Sequence, residues 1–322
     1  LKKFHILLLS IFMLFSLLTG CNQAAEKSGK TDQPSEQQTK QSEQAAFPVT
    51  LTDGNGEEIT IEKEPERIVS ALPSNTEIAF ALGLGDKIVG VSDHDNYPEE
   101  AAQKEKIGGL ELNIEKILSL DPQLVLVDPS NDQKAVEQLK AADIPVLVVN
   151  SSESLDDVYK SIELIGKATN TVDEAEKVIE DMRKKIADVE AKVKGIKEED
   201  KKKVFMEISP EPEIYTAGNN TFMDTLLTII HAENASKEID GWQKVNDEAV
   251  IKMNPDVIIT TYSNYVDNPV EQVLKREGWT DITAIKEKQV FDVHSDLINR
   301  PGPRLAEGVE ELAKAVYPDA FQ

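Results

Sequence analysis

The string EKILSLDPQLVL, residues 115–126, returns as EAVIKMNPDVII, residues 248–259, with a glutamate seven positions ahead of a proline in both copies. Within each copy the apolar residues Ile117, Leu118 and Leu120, or Val250, Ile251 and Met253, fall at helical spacing. Pro122 or Pro255 then bars further helix, because the ring fixes φ and removes the amide donor. A short, nearly all-apolar run follows at 124–127 and at 257–259. Its lack of polar alternation marks strands covered on both faces, as in a parallel sheet flanked by helices. The repeat therefore predicts an α/β chain in two halves of similar build, each carrying one helix-to-strand unit.

The N-terminus addresses the location of the protein. Lys2 and Lys3 precede an apolar stretch at 6–18, and Leu18, Thr19 and Gly20 lead into Cys21. The stretch is shorter than the roughly 20 apolar residues of a spanning helix, so residues 1–20 read as a removed signal peptide. The LTGC ending resembles the bacterial lipobox, which implies that Cys21 becomes the first mature residue and carries lipid. Cys21 is also the only cysteine, so disulfides, thiolate metal sites and cysteine catalysis drop out of the mature fold. Residues 21–46 are rich in Gln, Glu, Ser, Lys and Ala, and they read as a lipidated flexible tether that cannot bury enough surface to fold. The expected location is the cell membrane, lipid-anchored on the extracytoplasmic side.

The formal net charge is −24, and −26 once residues 1–20 with their two lysines and no acids are removed. Such a chain is repelled by phosphate backbones and anionic headgroups, so nucleic acid is not an expected partner and membrane contact is expected through the lipid alone. After an entry hairpin around Gly54, Asn55 and Gly56, strands are expected at 68–71, 88–91, 124–127 and 146–149, with helices starting near Ser74, Asn113 and Asp132. This defines an N-terminal α/β lobe at 47–153. Connecting helices occupy 154–199. Ser154 opens a short one, and Thr171 with Glu174 reads as a capping box opening an apolar stripe from Ala175 to Val193. At about 24 residues the second helix is roughly 36 Å long, enough to brace two lobes. Strands resume at 204–208, 257–260 and 290–293 in a C-terminal α/β lobe at 200–322. Loops at the strand carboxyl ends of two such sheets would surround a shared ligand cleft.

The segments LPSNTEIAFALGLGDKIVGVS (72–92), NYP (96–98), NIEKILSLDPQLVLV (113–127), YTAG (215–218) and RPGPR (300–304) are similar to those of the cobalamin and ferric-siderophore binding proteins of ABC importers. The resemblance covers nearly the whole mature body. It implies two parallel-sheet lobes joined by one long helix, of the periplasmic-binding-protein type, which capture a bulky metal chelate and deliver it to a membrane permease. Cobalamin is the first expectation, with a ferric siderophore or haem as the alternative. In this family one glutamate on each lobe docks into arginine pockets of the permease, and Glu115 and Glu248 occupy the matching positions. Glu77, which stands three residues after Ser74, instead reads as part of a structural capping box.

For the ligand, the resemblance points to Tyr215 and Trp242 as rings against a planar chelate, while His94, Asp128 and the region of Leu110 stand where relatives often place aromatics. Asp296 and Arg300, in the loop reaching Arg304, could meet polar groups of the ligand. Competing classes find little support. Besides His5, which leaves with the signal, the histidines are His94, His231 and His294, too few for a dedicated bare-metal site. No G-x-S-x-G elbow, H-E-x-x-H pair or P-loop occurs, so neither an enzyme nor a resident cofactor is expected.

Overall fold

The computed structural model describes residues 47–150 and 154–322; the expected signal peptide, the lipid-bearing Cys21 and the tether lie outside the described residues. The described chain opens with an antiparallel hairpin, β1 (Val49–Thr52) and β2 (Glu58–Ile61). The Asp53 carboxylate closes its turn by accepting from the amides of Asn55 and Glu57, each at 2.9 Å. Gly54 is needed for close approach, since a Cβ there would stand 2.8 Å from the Asn150 amide nitrogen.

The N-terminal lobe alternates strand and helix: β3 (Ile68–Ser70), α1 (Pro73–Ala81), β4 (Ile88–Val91), α2 (Glu99–Ala102), β5 (Glu105–Lys106), α3 (Ile114–Ser119), β6 (Leu124–Val127), α4 (Gln133–Ala141) and β7 (Val146–Val148). Its strands form one parallel sheet in the order β5-β4-β3-β6-β7. The unbroken apolar runs have the predicted cause. Ile68, Leu124, Leu126 and Leu147 belong to one core, while Val69, Val125, Val127, Val146 and Val148 belong to another with Ile117 and Leu139.

Two helices then lead to the second lobe, α5 (Leu155–Thr169) and α6 (Val172–Val193). Ser154 caps α5 as predicted, but that helix runs 15 residues rather than being short. The expected Thr171 capping box does not form; its hydroxyl instead meets that of Thr169 at 2.9 Å. The 22 residues of α6 bury Ala175, Ile179, Met182, Ile186, Val189 and Val193. This stripe lies in a single apolar core containing residues of both lobes, so α6 is a shared floor as well as a strut.

The C-terminal lobe comprises β8 (Lys203–Ser209), β9 (Tyr215–Ala217), α7 (Phe222–Ile229), β10 (Glu233–Asn234), β11 (Trp242–Lys244), α8 (Asp247–Met253), β12 (Val257–Thr260), α9 (Pro269–Leu274), α10 (Thr283–Lys286), β13 (Val290–Asp292), α11 (Ser295–Ile298) and α12 (Leu305–Val316). Strands β10, β8, β12 and β13 are parallel, whereas β9 and β11 extend the sheet antiparallel. The connection from β8 to β9 is too short for a parallel crossover, so β9 must return antiparallel. Helix α12 packs on α6.

The sequence repeat is a structural repeat. Asn113 and Asn246 cap α3 and α8, accepting from the amide three residues on at 3.0 and 2.9 Å. Both helices are followed by a residue with positive φ, Asp121 at 48° and Asn254 at 45°, immediately before the proline.

The lobes also meet through charge. Pro73 takes the first position of α1 and Leu72 flanks it with no side-chain cap, so Ser74 lies inside the helix and the predicted capping box with Glu77 is absent. The Glu77 side chain, 2% exposed, instead accepts from Arg300 Nη1 at 3.1 Å and from Arg304 Nε and Nη2 at 2.9 and 2.6 Å. Arg300 further reaches Asn96 Oδ1 at 2.7 Å and Asp296 Oδ1 at 3.0 Å, and Asn96 donates to Asp296 Oδ2 at 2.9 Å. The Arg304 guanidinium lies 3.8 Å from the centre of the Tyr97 ring. Removing the shared carboxylate charge strands the partly buried Arg304 and leaves Arg300 with Asp296 alone. Glu77→Gln is therefore expected to lower stability by about 3 to 5 kcal/mol, read from urea unfolding; a loss under about 1 kcal/mol would contradict the bridge as a major inter-lobe contact.

Candidate functional site

Parallel strands deliver their following loops to one edge of each sheet, and in the N-terminal lobe three of these loops are tied together. The amide of Asp93, in the loop after β4, donates to Gly108 O at 2.9 Å, and the amide of Gly108 donates back to Asp93 Oδ1 at 3.3 Å. Asp132, after β6, donates to Leu110 O at 3.1 Å. His94 is exposed and stands over Gly109, where a Cβ would come within 3.2 Å of its Nε2; Leu110 is exposed in the same turn. Asp128 is buried, and its Oδ1 accepts from the Ser130 amide at 2.9 Å and hydroxyl at 2.7 Å. That geometry makes Asp128 an organiser of the loop after β6.

Beneath His94, the buried Asp95 receives the Ser92 hydroxyl at 2.6 Å, while Lys106 Nζ binds the carbonyls of Ser92 and Asp95 at 3.2 and 3.0 Å. Burial pushes the Asp95 carboxyl above the ordinary aspartate range, against the opposing pull of Ser92. Asp296 and Arg300, read from the sequence as ligand contacts, lie in the inter-lobe ion network with Glu77. The structure thus brings them next to the backbone of His94, whose carbonyl Arg300 Nη2 approaches at 3.4 Å.

In the C-terminal lobe, Tyr215 pairs with Ser209 at the carboxyl end of β8, and β11 pairs Lys244 with Tyr215 and Trp242 with Ala217. Residues two apart on a strand share a face, so Tyr215 and Trp242 are diagonal neighbours on one face of the sheet edge. Both rings are open to solvent, at 39% and 46% exposure. Tyr265, in the loop after β12, is a further exposed ring, tilted against Tyr262 at 6.1 Å between centroids. Sequence reasoning missed it; its only signal was an aromatic in a turn-rich segment directly after a buried strand.

Behind these rings lies a buried ion pair. Arg276 binds both oxygens of Glu207 at 2.7 Å, and the Tyr262 hydroxyl donates to the same carboxylate. Burial and the neighbouring Glu207 push the Tyr262 phenol up, so it stays a protonated donor. The Arg276 guanidinium lies 4.2 Å from the Trp279 ring centre, and Trp279 Nε1 donates to Asp247 Oδ1 at 2.7 Å. Asp247 is the first residue of α8, so the network fixes the start of the helix bearing Glu248. Glu248 and Glu115 are exposed, each the second residue of its Asn-capped helix and each on a different lobe. Among the described residues, no group of three or more His, Cys, Asp or Glu side chains is arranged to hold a metal ion, and no helix is long and apolar enough to cross a membrane.

Against known proteins, the profile of the periplasmic binding protein family matches residues 68–297. The chain is 44% identical over 310 residues to the uncharacterized ABC transporter substrate-binding lipoprotein YvrC of Bacillus subtilis, covering 95% of each chain. It is 30% identical to the vitamin B12-binding protein of Vibrio parahaemolyticus, covering 80% of this chain and 91% of that one. Among solved structures, a possible iron-binding periplasmic solute-binding protein of Staphylococcus epidermidis superposes with a TM-score of 0.71 at 34% identity, over 79% of this chain and all of that one. The two α/β lobes with a long linking helix are the fold shared with the Staphylococcus epidermidis protein, and the family is one of binding proteins rather than enzymes. The chain belongs to the periplasmic binding protein family, as a solute-binding protein of an ABC importer.

Proposed function

We propose that the protein captures a bulky, flat metal chelate, cobalamin in the first instance, and hands it to the importer's permease. The observation that carries this reading is the pair of solvent-open rings, Tyr215 and Trp242, set diagonally on the β9–β11 side of the sheet, with Tyr215 beside the carboxyl end of β8. Two large apolar faces left uncovered by the fold suit a macrocycle, which they would shield from water on binding. In this reading Tyr215 and Trp242 meet the face of the chelate and His94 approaches from the other lobe. Asp128 shapes the loop beside His94, while Asp296 and Arg300 offer polar groups to the ligand's periphery. The vitamin B12-binding relative in Vibrio parahaemolyticus supports cobalamin. The iron-binding likeness in Staphylococcus epidermidis supports a ferric siderophore as the second reading. Cys21 is assigned as the lipid attachment point that keeps the protein on the outer face of the membrane, as the lipoprotein relative in Bacillus subtilis suggests.

Glu115 and Glu248 are assigned to docking, since each is exposed, lies on its own lobe and sits at the same place in the repeat. Charge complementarity with basic sockets on a partner fixes register and orientation.

Two experiments test this. Tryptophan fluorescence titrated with cyanocobalamin, haemin and ferric siderophores should show saturable quenching by one of them. Trp279 is fully buried and Trp242 is open, so most of the quench should vanish in Trp242→Phe. Quenching that persists in that variant, or none with any chelate, contradicts the reading. For docking, Glu115→Lys with Glu248→Lys should abolish uptake in cells and leave chelate affinity unchanged. An equal fall in both would remove the docking role.

A further inference from the structure

Among the described residues seven large hydrophobic side chains are exposed, and five of them lie in loops or on strands β9 and β11. The two that lie on helices are Leu118 on α3, 43% exposed, and Ile251 on α8, 37% exposed. Each stands three residues after a docking glutamate, Leu118 after Glu115 and Ile251 after Glu248. Residues three apart are neighbours on one helical face, with Cβ atoms roughly 5 to 6 Å from each other. The inward face is equally matched. Ile117 and Val250, two residues after each glutamate, are fully buried in the core of their own lobe. Both helices therefore turn the same short strip to solvent, a carboxylate followed by an aliphatic side chain.

One exposed aliphatic residue on a soluble protein needs no explanation. Two at the same offset, on identically capped helices in separate lobes, form a duplicated patch. Glu115 and Glu248 have no ion pair among the described residues, although Lys116 beside Glu115 is paired with Glu105 at 2.6 Å. The charge and the apolar side chain of each strip are thus both left open to a partner.

We propose that Leu118 and Ile251 are apolar anchors of the permease-docking surface, each entering a pocket beside the basic socket that takes Glu115 or Glu248. The inference rests on the docking reading above and adds the chemistry of the partner. The permease offers two like sockets, each with a cation and an apolar recess about one helical turn away. The carboxylates steer and register the encounter, and the buried aliphatic side chains slow its dissociation.

The test uses the permease recovered from the source cells by its complex with the native protein and reconstituted in nanodiscs. Binding of variants is followed by interferometry at low and high salt. Leu118→Gln and Ile251→Gln are each expected to weaken binding about tenfold, and the double variant about a hundredfold. The loss should appear mostly in the dissociation rate and persist at high salt, because screening acts on charges and not on apolar contact. Thermal midpoint and chelate titration should match the parent protein. If Glu115→Lys with Glu248→Lys abolishes binding while the double glutamine variant keeps full affinity, the apolar anchors are refuted and docking stands. Full affinity in both sets of variants refutes the docking reading itself. A lowered thermal midpoint in the glutamine variants assigns the two side chains to the fold and overturns the proposal.

Discussion

The Glu77 carboxylate has almost no access to water and finds its cations on the opposite lobe, in Arg300 and Arg304. A charge in that position is tolerable only while both guanidinium groups stay within hydrogen-bond reach. Any change in the angle between the lobes must therefore stretch this bridge or carry it along as a unit. The apolar stripe of α6 imposes a similar restraint, because its buried residues serve one core that both lobes share. A ligand could open or close the lobes only by as much free energy as its preference between the two arrangements supplies. The fold thus favours small adjustments in the angle between the lobes.

Local pattern made much of this fold legible. Strands β4, β6 and β12 fall on the predicted residues, because a short apolar run between polar residues leaves little choice of start and end. Asn113 and Asp132 were readable as helix starts, and both side chains cap their helices. The failures share a cause. Ser74 and Glu77 have the spacing of a capping box, but Pro73 starts the helix one residue earlier, and the true partners of Glu77 lie more than 220 residues away in the sequence. Burial is visible only in the fold, where Glu77 sits within a run of helix α1 that is buried from Ser74 to Ala79. Strand β9 and the edge strand β11, three residues each, carry no periodic pattern long enough to read.

The candidate site was legible to a different degree. Tyr215 and Trp242 could be named from the sequence, but only the antiparallel register of β9 and β11 makes them neighbours. The buried chain from Glu207 through Arg276 and Trp279 to Asp247 was invisible, since its members come from separate elements. It joins the wall below Tyr265 to the start of α8. The same polar groups that hold Tyr262 also anchor the helix that carries Glu248, so the loop after β12 and the start of α8 share one support.

Anomalous diffraction from a crystal grown with cyanocobalamin tests the central claim most directly, because cobalt marks its own position. The account predicts one strong peak between the lobes, with the corrin plane against Trp242 and Tyr215 and the Glu77 bridge intact. Cobalt on an outer surface of either lobe, or none bound at saturating cyanocobalamin, would contradict it.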